Sequence, residues 1–498
     1  MAVKPRFIPR GGTVVGGAST AMGWSLLNTL VSRCGTFGIG ILLARVLGPD
    51  AFGTFAVALV ALLAVLSFNE LGVSLAIVRW QGDPALIAPT VTTISVISST
   101  LFCASAFFLA PAFSKAMGDP EATPVVQLLI LSVLINGAVA APAALLQRTF
   151  QERTRMIIDQ TNVWVGAGIS VALALLGAGA MALAIGRLAG SLIAAVMFIV
   201  ASPVPYRLGL DRTKLVPLLR FGVPLAATSV VVFIVGYADQ LTAGSVLGAS
   251  VLAFYVMAFN LSSWPMSLFS QPLRRVAPAM FAKLQHDPEQ LRLALTWVVG
   301  ILASLTVPFV VFLAAAAVPL VQVIYGDIWV PAAAAVSWLV IAAACRVFYE
   351  LVYDYLVILG MSGTVFWIQF SSLIFLVPAL ITGASSAGLA GLAAAQAAVS
   401  GGVLLPLYLW RLKRTGVALR LIFSRTWLPL LVGIGVWAAT TALVAIRIQP
   451  LAALCAGGLM VVIVSAGLLL QQRKGLQMLR ELGRSEVLYK TSEGNQRR

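Results

Sequence analysis

Charged side chains are scarce in this chain. Asp, Glu, Lys and Arg together make up 10% of its 498 residues, whereas 60% are hydrophobic. This composition excludes an ordinary soluble globular domain, in which about a quarter of the residues are charged. Histidine and cysteine are also rare: the chain has one histidine, His286, and four cysteines without a CxxC spacing. The sequence therefore indicates neither a clustered metal site nor a disulfide framework.

Long apolar stretches fill most of the chain instead. A bilayer core requires about 20 apolar residues per helix, and we count fourteen such stretches, with twelve as the alternative count. The sequence thus predicts an all-α, polytopic integral membrane protein with about 14 transmembrane helices. The stretches centre near Phe37, Leu63, Phe102, Leu134, Ala172, Ile193, Val235, Ala258, Leu305, Ile341, Leu373, Ala397, Gly435 and Val462.

Positive charge is concentrated in alternate gaps between these stretches. If the amino terminus is inside, 27 of the 33 Lys and Arg residues lie in cytoplasmic segments, including the groups around Arg153 and Lys283. Only three lie outside, and the last three lie within spans. The positive-inside rule therefore predicts that both termini are cytoplasmic. Basic loops facing an anionic leaflet also account for the net charge of +16, so no nucleic-acid partner is expected.

A faint internal repeat divides the chain. The sequence Val-Leu-Gly occurs at 46–48 and again at 246–248, each time at a predicted outer turn with six helices between the copies. Parallel repeats of this kind place a substrate site between two lobes. The predicted segments are a cytoplasmic amino-terminal segment 1–21, an N-lobe 22–204 with helices 1 to 6, a basic linker 205–220, a C-lobe 221–410 with helices 7 to 12, a basic cytoplasmic loop 411–426, helices 13 and 14 in 427–471, and a basic cytoplasmic tail 472–498.

Two segments contain motifs of a known kind. The first is Leu-Ala-Arg-Val-Leu-Gly-Pro-Asp-Ala-Phe-Gly-Thr-Phe-Ala at 43–56, with Glu-Leu-Gly-Val-Ser-Leu-Ala-Ile-Val-Arg at 70–79. The second contains Asp239, the repeated Val-Leu-Gly, Pro265, Arg-Val-Ala-Pro at 275–278 and Lys-Leu-Gln-His-Asp-Pro at 283–288. Both segments resemble the bacterial Wzx-type polysaccharide flippases of the multidrug, oligosaccharidyl-lipid and polysaccharide (MOP) exporter superfamily. The chain departs from the family at Gln240, where a basic residue is usual. Helix 11 has no acidic residue, so a sodium site does not carry over from the related lipid II flippases.

The resemblance implies a non-enzymatic carrier in the bacterial inner membrane. Its expected substrate is an undecaprenyl-pyrophosphate-linked oligosaccharide repeat unit, moved from the cytoplasmic to the periplasmic leaflet for exopolysaccharide or lipopolysaccharide synthesis. Expected partners are membrane lipids, a polysaccharide polymerase and glycosyltransferases. One alternative is a multidrug or cation antiporter of the same superfamily. The other is a membrane glycan polymerase or ligase, but outer loops of at most roughly a dozen residues leave little room for an active site.

Polar side chains within the predicted spans are the candidate site residues, because charge inside a membrane usually faces a cavity or a partner. The expected substrate-binding residues are Arg33, Asn28 and Ser32 in helix 1 and Arg346 and Tyr353 in helix 10. The expected coupling residues or structural ion pairs are Glu70, Asp239, Glu350 and Asp354. Arg346 and Glu350, spaced i and i+4, could neutralise each other. No catalytic residue, metal or cofactor is expected, and a proton or sodium gradient is a candidate energy source.

Overall fold

The computed structural model describes residues 14–69, 72–285, 287–446, 448–473, 475 and 477, with side chains except at 14–23, 25–34, 36, 275, 276, 278, 279 and 283. All the regular structure in these ranges is helical, which confirms the predicted all-α fold. The sixteen α-helices found there are α1 (Val14–Leu66), α2 (Ser74–Arg79), α3 (Ala88–Ala116), α4 (Thr123–Arg148), α5 (Glu152–Leu175), α6 (Ala180–Ala201), α7 (Arg212–Thr242), α8 (Ala249–Ser262), α9 (Gln271–Lys283), α10 (Pro288–Ala315), α11 (Ala317–Tyr325), α12 (Ala332–Ile358), α13 (Ser362–Val399), α14 (Leu405–Arg414), α15 (Leu419–Ala445) and α16 (Pro450–Gln471).

Within the described chain, twelve stretches are long and apolar enough to cross a membrane. Two long helical segments contain breaks. Gly48, with φ 75°, interrupts α1, and Ala387 and Gly388 interrupt α13. Glycine suits such a break because the left-handed φ region disfavours residues with a Cβ. Dividing both segments at their breaks gives fourteen segments of membrane length, so the two counts from the sequence describe the same architecture.

The two copies of Val-Leu-Gly end in the same backbone conformation. Gly48 has φ 75° and ψ 175°, and Gly248 has φ 87° and ψ 172°. Each glycine ends one helical segment and is followed at once by the next. The short sequence repeat is therefore also a repeat of local structure.

The chain divides into two compact units, Met1–Ser250 and Val251–Arg498. This boundary lies within α8, whereas the sequence places its lobe boundary at 205–220. The predicted lobes remain a prediction. The helix ends also differ locally from the predicted segments: α7 already begins at Arg212 and α14 extends to Arg414.

Asp211 shows why α7 begins where it does. Its carboxylate accepts hydrogen bonds from the backbone N–H of Thr213, at 3.0 Å, and from the Thr213 hydroxyl, at 2.6 Å. It also pairs with Lys214 at 2.8 Å. The Lys214 ammonium, followed by the two Thr213 donors, lowers the pKa of Asp211 to about 2. The ionised cap therefore persists at any physiological pH.

Each unit packs its helices through small residues or large apolar ones. In the first unit, α5 and α6 approach so closely at Gly166 and Gly186 that a Cβ on Gly186 would lie 2.4 Å from the Gly166 carbonyl oxygen. Small residues allow such contact between membrane helices. The second unit has a core that joins α9, α10, α12, α13 and α14, and the fully buried Phe281, Tyr355 and Tyr408 belong to it. This core holds α9 and α12 side by side.

Candidate functional site

Four charged side chains of the second unit form one cluster within the membrane-spanning segments. Arg274 of α9 donates from Nε and Nη2 to the two carboxylate oxygens of Asp354, at 2.7 and 2.8 Å. It also donates from Nη1 to Glu350 at 2.6 Å. The other oxygen of Glu350 accepts a hydrogen bond from Nε of Arg346 at 2.8 Å. The cluster thus joins two cations to two anions, and its formal charge is zero.

The four members differ in burial. The side chains of Glu350 and Asp354 are only 12% and 10% exposed, whereas Arg346 is 53% exposed. A half-buried Arg274 satisfies both carboxylates and so offsets the cost of burying them. Arg274 therefore positions the acids, while Arg346 is the cation of this cluster that a ligand can reach.

The cluster lies toward one end of α12. Glu350 and Asp354 are eight and four residues from the last helical residue, Ile358, or about 12 and 6 Å at the helical rise of about 1.5 Å per residue. The charge distribution predicts that this end is cytoplasmic. The cluster is therefore expected to lie in the inner half of the bilayer.

Aromatic side chains surround the ion pairs. The Arg274 guanidinium carbon lies 5.9 Å from the centre of the Tyr353 ring. Tyr349 stacks on Tyr408, with ring centres 5.5 Å apart and planes 6° from parallel. The buried Tyr408 hydroxyl accepts a hydrogen bond from Gln369 Nε2 at 3.1 Å. Tyrosine provides both an apolar ring and a hydroxyl, so the cluster has surfaces suited to sugar rings as well as to charge.

An irregular backbone leads into Arg274. Helix α8 ends at Ser262, Pro265 follows, and residues Met266–Ser270 form a π-helical turn before α9 begins. Proline removes one backbone hydrogen bond, and a π turn changes the angular position of every following residue. The irregular turn of this chain begins directly after Pro265. These local departures set the direction of α9 and of its side chains.

A second polar region lies in the first unit. The buried Asn69 donates from Nδ2 to Asn136 Oδ1 at 3.3 Å and to Ser99 Oγ at 3.4 Å. The Ser98 hydroxyl donates to the Asn69 carbonyl at 2.6 Å. Buried polar groups of this kind require partners, and here α3 and α4 supply them to the segment after α1.

A cavity of about 200 Å³ adjoins this network and is lined by Ser74, Asn136, Gln147 and Arg155, among others. Arg155 Nη1 pairs with Glu152 at 3.1 Å. Its Nε is buried and has no hydrogen-bond partner in the described structure. An unmet buried donor costs about 1–3 kcal/mol. The cavity is therefore suited to a ligand that offers oxygen acceptors, such as a phosphate or a sugar hydroxyl.

The predicted site residues divide into three groups. Arg346, Glu350, Tyr353 and Asp354 lie together on α12, around Arg274. Asp239 lies in the first unit near the end of α7, is 4% exposed and accepts a hydrogen bond from the Gln240 backbone N–H at 2.8 Å. The side chains of Asn28, Ser32 and Arg33, and all of Glu70, lie outside the described structure. Their predicted roles remain predictions.

Two arginines that the charge count assigns to cytoplasmic loops belong to these sites. Arg274 ends a membrane-length stretch and is the centre of the ion cluster. Arg155 lies one helical turn inside α5 and lines the cavity. For Arg274 the available signal is Pro265, since a kink there lets the apolar run continue through Phe269 and Leu273. For Arg155 no local signal exists, because its cavity forms only when distant helices pack.

The described residues contain no group of three or more His, Cys, Asp or Glu side chains placed to hold a metal ion. The ion clusters instead pair carboxylates with arginines. The nature of any coupling ion remains a prediction.

The chain matches known proteins in sequence and in fold. A family model described as "Polysaccharide biosynthesis protein" matches residues 42–334. The lipopolysaccharide biosynthesis protein WzxC of Escherichia coli is 24% identical over 61% of the chain and 63% of WzxC. The succinoglycan biosynthesis transport protein ExoT of Rhizobium meliloti is 25% identical over 70% of each chain. The chain thus spans somewhat less than two thirds of the length of WzxC.

Solved structures share the fold. The lipid II flippase MurJ in an inward closed conformation superposes with a TM-score of 0.70, at 14% identity, over 89% of this chain and 98% of that one. An inward-facing MATE family multidrug transporter of the MOP superfamily gives a TM-score of 0.59, at 16% identity, over 80% of this chain and 98% of that one. Because the family model matches more than half of the chain, the chain belongs to this family of polysaccharide biosynthesis proteins.

Proposed function

We propose that this protein is a flippase that moves undecaprenyl-pyrophosphate-linked oligosaccharide repeat units from the cytoplasmic to the periplasmic leaflet of the bacterial inner membrane. The observation that carries the proposal is the intramembrane cluster around Arg274 in a chain of this family. It contains a ligand-accessible arginine, Arg346, and a tyrosine, Tyr353, whose ring lies beside Arg274. Such a combination suits a lipid-linked sugar with an anionic pyrophosphate.

The residues of the cluster divide this task. Arg346 attracts the pyrophosphate, since a guanidinium matches phosphate geometry with two parallel donors. Tyr353 offers a ring face and a hydroxyl to the sugar. The first-unit cavity is a separate candidate site, in which the unmet Arg155 Nε and the amides of Asn136 and Gln147 are the donors. The polyprenyl tail stays in the lipid, where it meets no polar group.

The carboxylates supply a route to energy coupling. An anion that takes Arg346 away from Glu350 leaves two carboxylates beside Arg274 alone. Uptake of one proton or one sodium ion restores neutrality, because an excess buried charge is costly. A proton or sodium gradient is therefore the proposed energy source, and Glu350 is the proposed coupling group.

The proposal places the protein between two enzymes. Glycosyltransferases build the repeat unit on the inner face, and a polymerase joins units on the outer face. Deletion of the gene should leave synthesis intact, so lipid-linked units accumulate in the cytoplasmic leaflet while extracellular polymer disappears. Unpolymerised units in the periplasmic leaflet would contradict the proposal and indicate a polymerase. Unchanged polymer would indicate a drug exporter.

Substitutions test the role of Arg346 in the same cells. Arg346→Ala should reproduce the deletion at normal protein abundance, because its side chain is more than half exposed. Arg346→Lys should restore export in part, since lysine keeps the charge but not the two parallel donors. Lys413→Ala, which removes an exposed charge from α14, is the control and should export normally. Normal export by Arg346→Ala would remove Arg346 from the site.

A further inference from the structure

A second cationic cavity lies in the second unit, and none of its lining residues belongs to the ion cluster around Arg274. It has a volume of about 190 Å³ and lies where α10, α15 and α16 meet. Its polar lining consists of Ser304, Ser424, Arg425, Gln471 and Gln472. None of these residues contacts Arg274, Glu350 or Asp354, and the proposed transport step does not use them.

Arg425 is held in place inside this cavity. Its guanidinium carbon lies over the Trp297 ring, 3.0 Å from the ring centre. Its Nη1 makes one long hydrogen bond, of 3.5 Å, to Gln472 Oε1. The buried Gln472 in turn donates from Nε2 to the Arg425 carbonyl at 3.4 Å. Stacking on an indole fixes the plane of the guanidinium and leaves its edge for a ligand.

The charge of Arg425 has no counter-charge in the described structure. No carboxylate there lies within ion-pairing distance of it, in contrast to Arg274 and Arg346. The rest of the lining is neutral: two hydroxyls and two carboxamides. A partly buried cation is normally paired, so the cavity is complete only when it holds an anion.

The depth of the cavity in the membrane indicates which kind of anion it binds. Arg425 lies six residues from the first residue of α15, or about 9 Å along the helix. The half-exposed Trp427 lies two residues further along α15, and the half-exposed Trp410 lies in the last turns of α14. The guanidinium carbons of Arg411 and Arg414 lie 4.9 and 4.0 Å from the centre of the Trp410 ring. Tryptophan and arginine in this arrangement mark the level of lipid headgroups.

We propose that this cavity binds the phosphate of an anionic phospholipid headgroup in the leaflet that the charge distribution predicts to be cytoplasmic. Arg425 binds the phosphate oxygens from the edge of its guanidinium. Gln471 adds a hydrogen bond from its side-chain amide, and the Ser424 hydroxyl donates to the phosphate in place of its 2.8 Å hydrogen bond to the Leu421 carbonyl. The bound lipid connects α15 and α16 to α10, which carries Trp297 and Ser304. This assignment does not depend on the substrate of the flippase.

Native mass spectrometry of the full-length protein in detergent tests the assignment. Titration with phosphatidylglycerol should saturate one site on the wild type, and phosphatidylcholine should bind more weakly. Arg425→Gln should weaken phosphatidylglycerol binding on the order of tenfold, the effect of losing one charge-assisted contact. Arg420→Gln removes the same charge from an exposed position on α15 outside the cavity, and it should change binding less than twofold.

A second variant and a competition experiment with inorganic phosphate complete the test. If Arg425→Gln fails to fold, Ser424→Leu fills the cavity from an exposed position and should weaken binding to a similar extent. Equal losses in the Arg425 and Arg420 variants would overturn the proposal, because binding would then follow total charge. Displacement of the lipid by an equal concentration of inorganic phosphate would also overturn it, because the site would then be one for free phosphate.

Discussion

The Ser250 hydroxyl donates a hydrogen bond of 2.6 Å to the carboxylate of Asp50, and these two residues occupy equivalent positions of the repeat, two residues after Gly48 and Gly248. Contact between equivalent residues is the pattern expected where two copies of a motif face each other. Next to this hydrogen bond, Gly53 packs against the backbone of Ala249. The repeated turns therefore contact each other directly.

Gly53→Ala should destabilise this contact. A Cβ at Gly53 would lie 2.4 Å from the Ala249 carbonyl oxygen, and a backbone atom cannot move aside easily. We expect a loss of about 1–3 kcal/mol, the usual cost of overpacking, measured as a lower melting temperature of the purified protein. Gly40→Ala is the matched control on α1, because no atom lies within 4 Å of the added Cβ. Equal melting temperatures for the two variants would exclude tight packing at Gly53.

Arg274→Leu should lower the free energy of unfolding more than replacement of both Arg274 and Asp354 by leucine. The single change leaves Asp354 buried without a cation, at a cost of about 3 kcal/mol. In Arg274→Leu/Asp354→Leu the remaining Glu350 still pairs with Arg346, so the double variant should be the more stable of the two. Denaturation in detergent measures both. Strictly additive losses from the two single changes would show that Arg274 and Asp354 do not interact.

Arg155→Ala should impair export, whereas Arg153→Ala should not. Arg155 lines the first-unit cavity with an unmet donor, while Arg153 lies two residues away and stacks over Trp24. We expect polymer export by Arg155→Ala to fall roughly tenfold at equal abundance, as for a loss of about 1.4 kcal/mol of binding. Normal export by both variants would show that the cavity has no role in transport.

Cysteine labelling tests the predicted orientation. In a variant without native cysteines, single cysteines at the exposed positions of Glu121 and Asp327 should react with an impermeant thiol reagent from the periplasm. Cysteines at Arg212 and Lys413 should react only after the membrane is opened. The charge bias motivates this expectation. The opposite labelling pattern would reverse the assigned direction of transport.

Hydropathy and charge predict the local structure of each segment. The fourteen stretches, the break at Gly48 and the pair of Arg346 with Glu350 all depend on residues close in sequence, and the structure shows each of them. Burial of apolar residues in lipid acts on every helix separately, so a single sequence contains that information.

The sequence does not predict which side chains on different helices pair with each other. Glu350 has a predicted partner one turn away, Arg346, but it also pairs with Arg274, which is 76 residues distant. The cavity at Arg155 likewise requires α2, α4, α5 and α6 to meet. Which helix faces which is decided by packing of small residues such as Gly166 and Gly186, whose pairing no local pattern reveals.

The most direct test of the account is translocation by the purified protein in sealed vesicles. The vesicles contain a lipid-linked oligosaccharide with a labelled sugar, and an impermeant enzyme outside modifies only the label in the outer leaflet. With wild-type protein and an imposed proton or sodium gradient, we predict that nearly all the label becomes accessible with time. With Arg346→Ala, accessibility should stop at the outer-leaflet fraction, as in vesicles without protein. Wild-type vesicles that retain a protected inner-leaflet pool under every gradient would contradict the proposed flippase function.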